Sequence, residues 1–246
     1  MIPKVIHYCW FGRNPLPESA VKCINSWKKF FPNYEIKEWN EDNFDVNMIP
    51  YTHEAYEAKK YAFVSDYARI WVLYHYGGLY FDTDVEVIKK MDDIVVRGSF
   101  MGIEVDYSEG STMSVNPGLG LGSIQHHPLY KEILDYYNRI NFILEDGSHN
   151  LFAIVRITTL ILCNNGMKNT NLLQEVAGVW IYPRDYFNPL DDNMGKLVIT
   201  ENTRCIHWYT KTWMKKQNPL RTWIVRRIHR YFGNDSLAWL KRILRK

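Results

Sequence analysis

The chain has few cysteines, and none of them are spaced as a metal-binding or redox pair. Its 246 residues contain four, Cys9, Cys23, Cys163 and Cys205, and no two form a CxxC pair. This scatter excludes a zinc ribbon, and a chain of this length needs no disulfide framework. We therefore expect a reduced, cytoplasmic protein.

Long apolar runs are also missing. No stretch approaches the roughly 18 apolar residues that a membrane span needs. The first residues, Met1 to His7, lack the charged segment and the apolar run of a signal peptide. We expect a soluble chain without a transmembrane span.

Charge is unevenly distributed along the chain. Residues 220–246 carry eight basic residues and one acid, a net charge of +7, which leaves −4 for residues 1–219 out of the total of +3. In this last segment, bases and large apolar residues alternate at helical spacing, which is typical of helices that bind anionic membrane surfaces. Nucleic-acid binding and packing on the protein body are the alternatives. We predict a globular domain over residues 1–219 and a basic amphipathic helical tail over residues 220–246, which is a membrane-surface anchor.

The first half of the chain alternates apolar strand-like and helical segments. The pattern predicts a strand near residues 5–11, a helix over 18–31, a strand over 34–39 and a helix through 61–74 that ends at Gly77-Gly78. A β-α-β opening of this kind is typical of an α/β layered sheet. Later segments predict strands over 99–104, 179–182 and 197–199 and helices over 128–136 and 152–163.

Two acids two residues apart, Asp82 and Asp84, follow the Gly-Gly pair and a short apolar run. Because side chains alternate along a strand, we expect both carboxylates on one face near a strand end. Such a pair suits Mn²⁺ or Mg²⁺ bound together with a phosphorylated substrate. A solvated acidic strand end is the alternative. The pattern does not fit a calcium EF-hand, since Val87 stands where glycine is required and Asp93 where glutamate is required.

The helix before the acidic pair carries Asp66 and Arg69, three residues apart and therefore on one face. A plain surface ion pair explains this spacing equally well. However, the helix leads directly to the acidic motif, and ligand-binding groups of open α/β folds gather at such sheet edges.

The order of the motifs makes the pattern specific. Residues 2–12, residues 65–69 with 73–84, and residues 207–213 (HWYTKTW) together resemble glycosyltransferase family 32. That family includes bacterial capsular polysaccharide synthesis proteins and a group of mannosyltransferases. The resemblance implies a GT-A fold, with a mixed central sheet flanked by helices, and a DxD motif that binds the metal and the donor sugar.

Carried onto this sequence, the resemblance implies three groups of site residues. Asp82 and Asp84 are catalytic and, with His207, hold Mn²⁺ or Mg²⁺. The acceptor side involves Glu104, Asp106 and Asn116. The donor is bound by His7, Trp10, Asp66, Arg69, Tyr80, Asp82, Lys211 and Trp213. For Trp10 and His207, simple packing is the alternative, and for Glu104 and Asp106 it is a surface loop position.

These expectations combine into one function. The sequence predicts a metal-dependent, retaining transferase that moves a hexose from a nucleotide-diphosphate sugar, such as UDP-galactose, to a glycan or lipid-linked acceptor in surface polysaccharide synthesis. It predicts a peripheral location on the inner face of the cytoplasmic membrane and no nucleic-acid partner. Three alternatives stay open: a GDP-mannose-dependent mannosyltransferase, a toxin-like transferase with a protein acceptor, and a non-enzymatic membrane adaptor.

Overall fold

The structure is a computed structural model that describes residues 1–108, 112–210, 225 and 227. Lys211, Trp213 and nearly all of the predicted tail lie outside the described residues, so the division at residue 219 stays a prediction. The helices are α1 (Glu18–Phe30), α2 (Pro50–Glu57), α3 (Tyr61–Tyr76), α4 (Asp92–Arg97), α5 (Pro128–Tyr137), α6 (Ile154–Asn164) and α7 (Arg184–Phe187). The strands are β1 (Val5–Cys9), β2 (Glu35–Trp39), β3 (Gly78–Tyr80), β4 (Val85–Val87), β5 (Phe100–Val105), β6 (Ser114–Val115), β7 (Leu121–Ser123), β8 (Gln174–Val176), β9 (Val179–Tyr182), β10 (Leu190–Asp191), β11 (Lys196–Leu197) and β12 (Cys205–His207).

A mixed central sheet organises the described residues, as the sequence predicts. Its strand order is β2-β1-β3-β7-β5-β9-β8, and β6 pairs with β5 at the side. The β1–β2, β1–β3 and β5–β9 pairs are parallel, whereas β7 runs antiparallel to β3 and β5. Two small antiparallel pairs, β4–β12 and β10–β11, lie outside this sheet.

The core lies on both faces of the sheet. Leu79 and Tyr80 are neighbours in β3 and point to opposite faces, and they belong to two separate buried clusters. The Tyr80 cluster contains apolar residues of α2, α3, α5 and α6. The Leu79 cluster contains Trp27 of α1, whose side chain is fully buried. Helices therefore cover the sheet on both sides, which produces the layered arrangement.

The junction of α3 and β3 needs both of its glycines. Gly77 ends the helix with φ of +64°, and Gly78 follows with φ of +102°, values that side chains rarely tolerate. A Cβ on Gly78 would also lie 2.7 Å from the carbonyl oxygen of Val5. The chain can therefore turn from α3 directly into a strand that pairs with β1, as the Gly-Gly pair predicts.

Most predicted elements in the first half of the chain are confirmed, and the late ones less completely. The strand predicted over 197–199 is reduced to β11, which ends at Leu197. Among the described residues, no helix is both long enough and apolar enough to cross a membrane.

Candidate active site

The two acids lie in a turn and not on a strand, which corrects the expectation from the sequence. Strand β3 ends at Tyr80, β4 begins at Val85, and the backbone N–H of Val85 donates to the carbonyl of Asp82 at 2.9 Å. Both carboxylates still reach one site. The turn brings them together, whereas the sequence predicts that strand alternation does so. The indole N–H of Trp27 stabilises the end of the turn by donating to the carbonyl of Val85 at 2.7 Å.

Strand β12 brings His207 to this turn from the far end of the described chain. It runs antiparallel to β4, with His207 opposite Val85. The backbone N–H of Trp208 donates to the carbonyl of Asp84 at 3.0 Å. His207 Nε2 consequently lies 3.2 Å from Asp84 Oδ1. The pairing of two short strands thus builds the junction between the acidic motif and the histidine.

Asp82, Asp84 and His207 together form a candidate metal centre. Each offers one ligand atom, and these atoms all lie within 4.8 Å of one another. Two carboxylates and an imidazole suit Mn²⁺, which accepts both oxygen and nitrogen ligands. His207 Nδ1 is buried and has no hydrogen-bond partner among the described residues, so contacts within the described fold do not occupy this ring nitrogen. The three side chains therefore fit a divalent cation.

Arg69 connects the acidic motif to α3. Its guanidinium lies 3.0 Å from Asp66 Oδ1 and 3.2 Å from Asp82 Oδ2. Burial raises the pKa of Asp66 to about 6, against which Arg69 acts in the opposite direction. Burial also raises the pKa of Asp82, again opposed by Arg69. Arg69 is therefore the largest influence that favours ionisation of both carboxylates.

Tyr80 completes this network, since its hydroxyl donates to Asp82 Oδ1 at 3.0 Å and its ring lies 5.0 Å below the Arg69 guanidinium. The structure thus brings together Asp66, Arg69, Tyr80, Asp82, Asp84 and His207, and their roles in donor and metal binding stay predictions. Arg69 is only 5% exposed, so its contacts to the two carboxylates hold the site together.

The segment after β6 closes over Asp82. The backbone N–H of Asp82 donates to the carbonyl of Gly118 at 3.3 Å. A Cβ on Gly118 would lie 2.2 Å from Asp82 Oδ2, so only glycine permits this close approach. Asn116 holds the turn by accepting from the N–H of Gly118 at 2.6 Å and donates its own amide to Glu104 at 3.0 Å.

The structure therefore links Glu104 and Asn116 to the site but not Asp106. Asp106 is half-buried; burial raises its pKa, and Arg184, the charge that opposes this shift, lies nearby. Acceptor binding by all three residues stays a prediction.

The two donor residues predicted on β1 have different surroundings. Trp10, just beyond the strand, is half-exposed, and its indole donates to the carbonyl of Asn14 at 2.6 Å. His7 is 1% exposed. Its Nε2 lies 3.0 Å from the carbonyl of Gly77, and its Nδ1 accepts from Trp39. The structure does not bring His7 to the acidic cluster.

Sequence reasoning assigned no role to Tyr209, Thr210 or Gly118. Thr210 donates its backbone N–H and its hydroxyl to Asp84 Oδ2, at 2.8 and 3.1 Å. Tyr209 places its ring 4.1 Å from that of His207. Both lie inside the motif that supports the resemblance, but the backbone turn that aims them has no signature in the sequence.

Known proteins share this region and this fold. Residues 17–101 match the family described as glycosyltransferase sugar-binding region containing DXD motif. Inositol phosphoceramide mannosyltransferase 1 of Schizosaccharomyces pombe is 30% identical over 111 residues, which cover 41% of this chain and 33% of that protein. A mannosyl phosphorylinositol ceramide synthase of Saccharomyces cerevisiae is 25% identical over 138 residues, 54% of this chain and 35% of that protein. The chain thus matches about a third of the length of these relatives.

Among solved structures, the PaToxG glycosyltransferase is similar with a TM-score of 0.50 and 20% identity, over 66% of this chain and 69% of that one. At this identity the likeness shows the fold alone, which is the predicted GT-A fold. The matching DXD region and the names of the relatives support a family-32-like glycosyltransferase, and the likeness to a solved structure adds the fold.

Proposed function

We propose that this protein is a metal-dependent, retaining glycosyltransferase that moves a hexose from a nucleotide-diphosphate sugar to a glycan or lipid-linked acceptor. The observation that carries the proposal is the convergence of Asp82, Asp84 and His207, whose ligand atoms lie within 4.8 Å of one another. A divalent cation bound there supplies positive charge to the diphosphate leaving group.

The chain's own residues provide the rest of the donor site. Asp84 is held by Thr210 through Oδ2, which leaves Oδ1 facing His207. In the same site, Asp82 accepts hydrogen bonds from Arg69 and Tyr80. In the proposed transfer, the bond from the sugar's anomeric carbon to the diphosphate breaks, and a bond from that carbon to the acceptor oxygen forms on the same face. The acceptor proton passes to the departing phosphate oxygen.

The identity of the donor and the acceptor is part of the proposal. The sequence favours a UDP-sugar such as UDP-galactose. The relatives' names include mannosyltransferase and ceramide, which makes a mannosyl donor such as GDP-mannose the second candidate and supports a lipid-linked acceptor. We further propose that the basic segment 220–246 holds the enzyme on the inner face of the cytoplasmic membrane, where lipid-linked acceptors are reached.

Hydrolysis of a panel of nucleotide sugars with Mn²⁺ tests this function, because slow hydrolysis needs no acceptor. We expect turnover of one donor, loss of turnover with EDTA, and a fall of about 100-fold or more in Asp84→Asn, which loses one negative charge at the metal centre. Asp135→Asn is the matched control, since Asp135 is a carboxylate of α5 that pairs with Lys131. Failure of every donor to bind or turn over with Mn²⁺ would favour the non-enzymatic adaptor.

A further inference from the structure

The backbone bends sharply just after β12, at a residue that is not glycine. Tyr209 has φ of +49°, a left-handed conformation that bulky residues rarely adopt. Residues held in this way cluster at functional sites when their surroundings impose the conformation. Here the bend returns the chain to the acidic turn, because the next backbone N–H, that of Thr210, donates to Asp84 Oδ2 at 2.8 Å.

The same bend lays Tyr209 against His207. The two ring centroids are 4.1 Å apart, and the rings meet edge to face at 71°. At its other end, the Tyr209 hydroxyl donates to Glu104 Oε1 at 3.2 Å. Glu104 Oε1 is fixed in turn by the side-chain amide of Asn116 at 3.0 Å. The tyrosine ring is therefore held at both ends, between the histidine and β5.

Among the described residues, His207 has no partner of the usual kind for orienting a ligand imidazole. A metal-binding histidine normally donates its second ring N–H to a carboxylate or a carbonyl, which fixes the plane of the ring. In His207, Nε2 faces Asp84, while the buried Nδ1 finds no hydrogen-bond partner within residues 1–108 and 112–210. The ring contact that the structure shows at this imidazole is the one with Tyr209.

We propose that Tyr209, anchored by Glu104, is a positioning residue that sets the plane of the His207 imidazole for binding of a divalent cation. The role rests on the proposed metal site and extends it to two residues that do not contact the cation. It also gives Glu104 a function distinct from acceptor binding, since the carboxylate oxygen that receives Asn116 is the one that holds Tyr209.

The test is titration of the full chain with Mn²⁺ alone, followed by electron paramagnetic resonance, which reports free ion directly. We expect Tyr209→Ala to weaken Mn²⁺ binding by about 10-fold or more, the range seen when outer partners of ligands are removed. Tyr209→Phe keeps the ring but loses the hydroxyl that donates to Glu104, so its affinity should fall between that of Tyr209→Ala and that of the wild type. Tyr136→Ala is the matched control, because Tyr136 is half-buried on α5.

Tyr209→Gly separates positioning from folding. Glycine adopts a φ of +49° without strain, so this variant should unfold at a temperature at or above that of Tyr209→Ala, yet bind Mn²⁺ as weakly. Weak binding in both variants, with an intermediate affinity in Tyr209→Phe, supports the proposal, whereas full wild-type affinity in Tyr209→Phe would remove the anchoring role of Glu104. Wild-type affinity in both would overturn the positioning role and leave the metal site standing. If the wild-type chain itself bound no Mn²⁺, the metal site and the positioning role would fall together.

Discussion

At the scale of single residues, His7 shows how burial decides what a polar side chain does. Its motif implies a donor contact, but the structure places it at the seam of β1 and β3, where Trp39 donates to Nδ1 and Nε2 donates to the carbonyl of Gly77. Both nitrogens are satisfied only by the neutral ring. Burial lowers its pKa to about 4, despite the opposing hydrogen bond to Gly77.

This lowered pKa predicts an acid-dependent loss of stability. Because the unfolded chain takes up the proton near pH 6.5 and the folded chain only near pH 4, the contribution of His7 is fully present above pH 6.5 and is lost as the pH falls toward 4. The difference between pH 7 and pH 5 should be about 2 kcal/mol. Urea unfolding at both pH values measures it.

The matched comparison is between His7→Gln and His53→Gln, since His53 is exposed. The first variant should lose this part of the pH dependence, whereas the second should keep it. Equal pH dependence in wild type and His7→Gln would show that the ring is not held neutral by the fold.

At the scale of elements, the site is assembled where short segments meet. The helix α3, which carries Arg69, is long and periodic enough to predict from sequence, and so is β5. The three-residue strands β4 and β12 are too short to carry a periodic signal, and their pairing joins positions about 120 residues apart. Because β3 and β4 are only three residues long, the sequence does not show where β3 ends. It therefore predicts a strand through Asp82 and Asp84, whereas the hydrogen bonds put both residues in a turn.

The loop that ends at Gly118 gives a prediction at this scale. Gly118→Ala places a methyl group 2.2 Å from Asp82 Oδ2. Since that oxygen is the end of a flexible side chain, we expect the Asp82 carboxylate to shift while the fold survives. We expect donor hydrolysis to fall about 10-fold or more, with little change in the melting temperature.

Gly122→Ala is the contrasting variant, because its methyl group would meet the Phe100 ring at 2.4 Å inside the core. It should lower stability by about 1–3 kcal/mol without touching Asp82. Full hydrolysis by Gly118→Ala would show that the position of Asp82 is not critical for the reaction.

At the scale of the whole molecule, the net charge is negative over most of the chain and strongly positive over its last segment. Residues 1–219 carry −4 and residues 220–246 carry +7. The attraction of such a segment to anionic lipid is about 1 kcal/mol for each basic residue near the surface. Its structure lies outside the described residues, so the anchor stays a proposal drawn from composition.

Deletion of residues 220–246 tests the anchor. The full chain should sediment with vesicles that contain anionic lipid and should be released by high salt, because screening weakens the attraction. The deleted chain should stay in solution, and vesicles of zwitterionic lipid serve as the control. Retained binding by the deleted chain would place the membrane contact elsewhere.

The sequence by itself determined the resemblance to DXD glycosyltransferases, the mixed α/β sheet, the helix that carries Asp66 and Arg69, and the acidic pair, because these features depend on local periodicity and on motifs that are continuous in the chain. Tertiary structure alone decided that His207 meets Asp84, that the His7 ring is buried against Gly77 and Trp39, and that Tyr209 and Thr210 face the site. Those contacts depend on strand pairing over long separations and on one left-handed backbone angle, and neither is encoded in the spacing of residues.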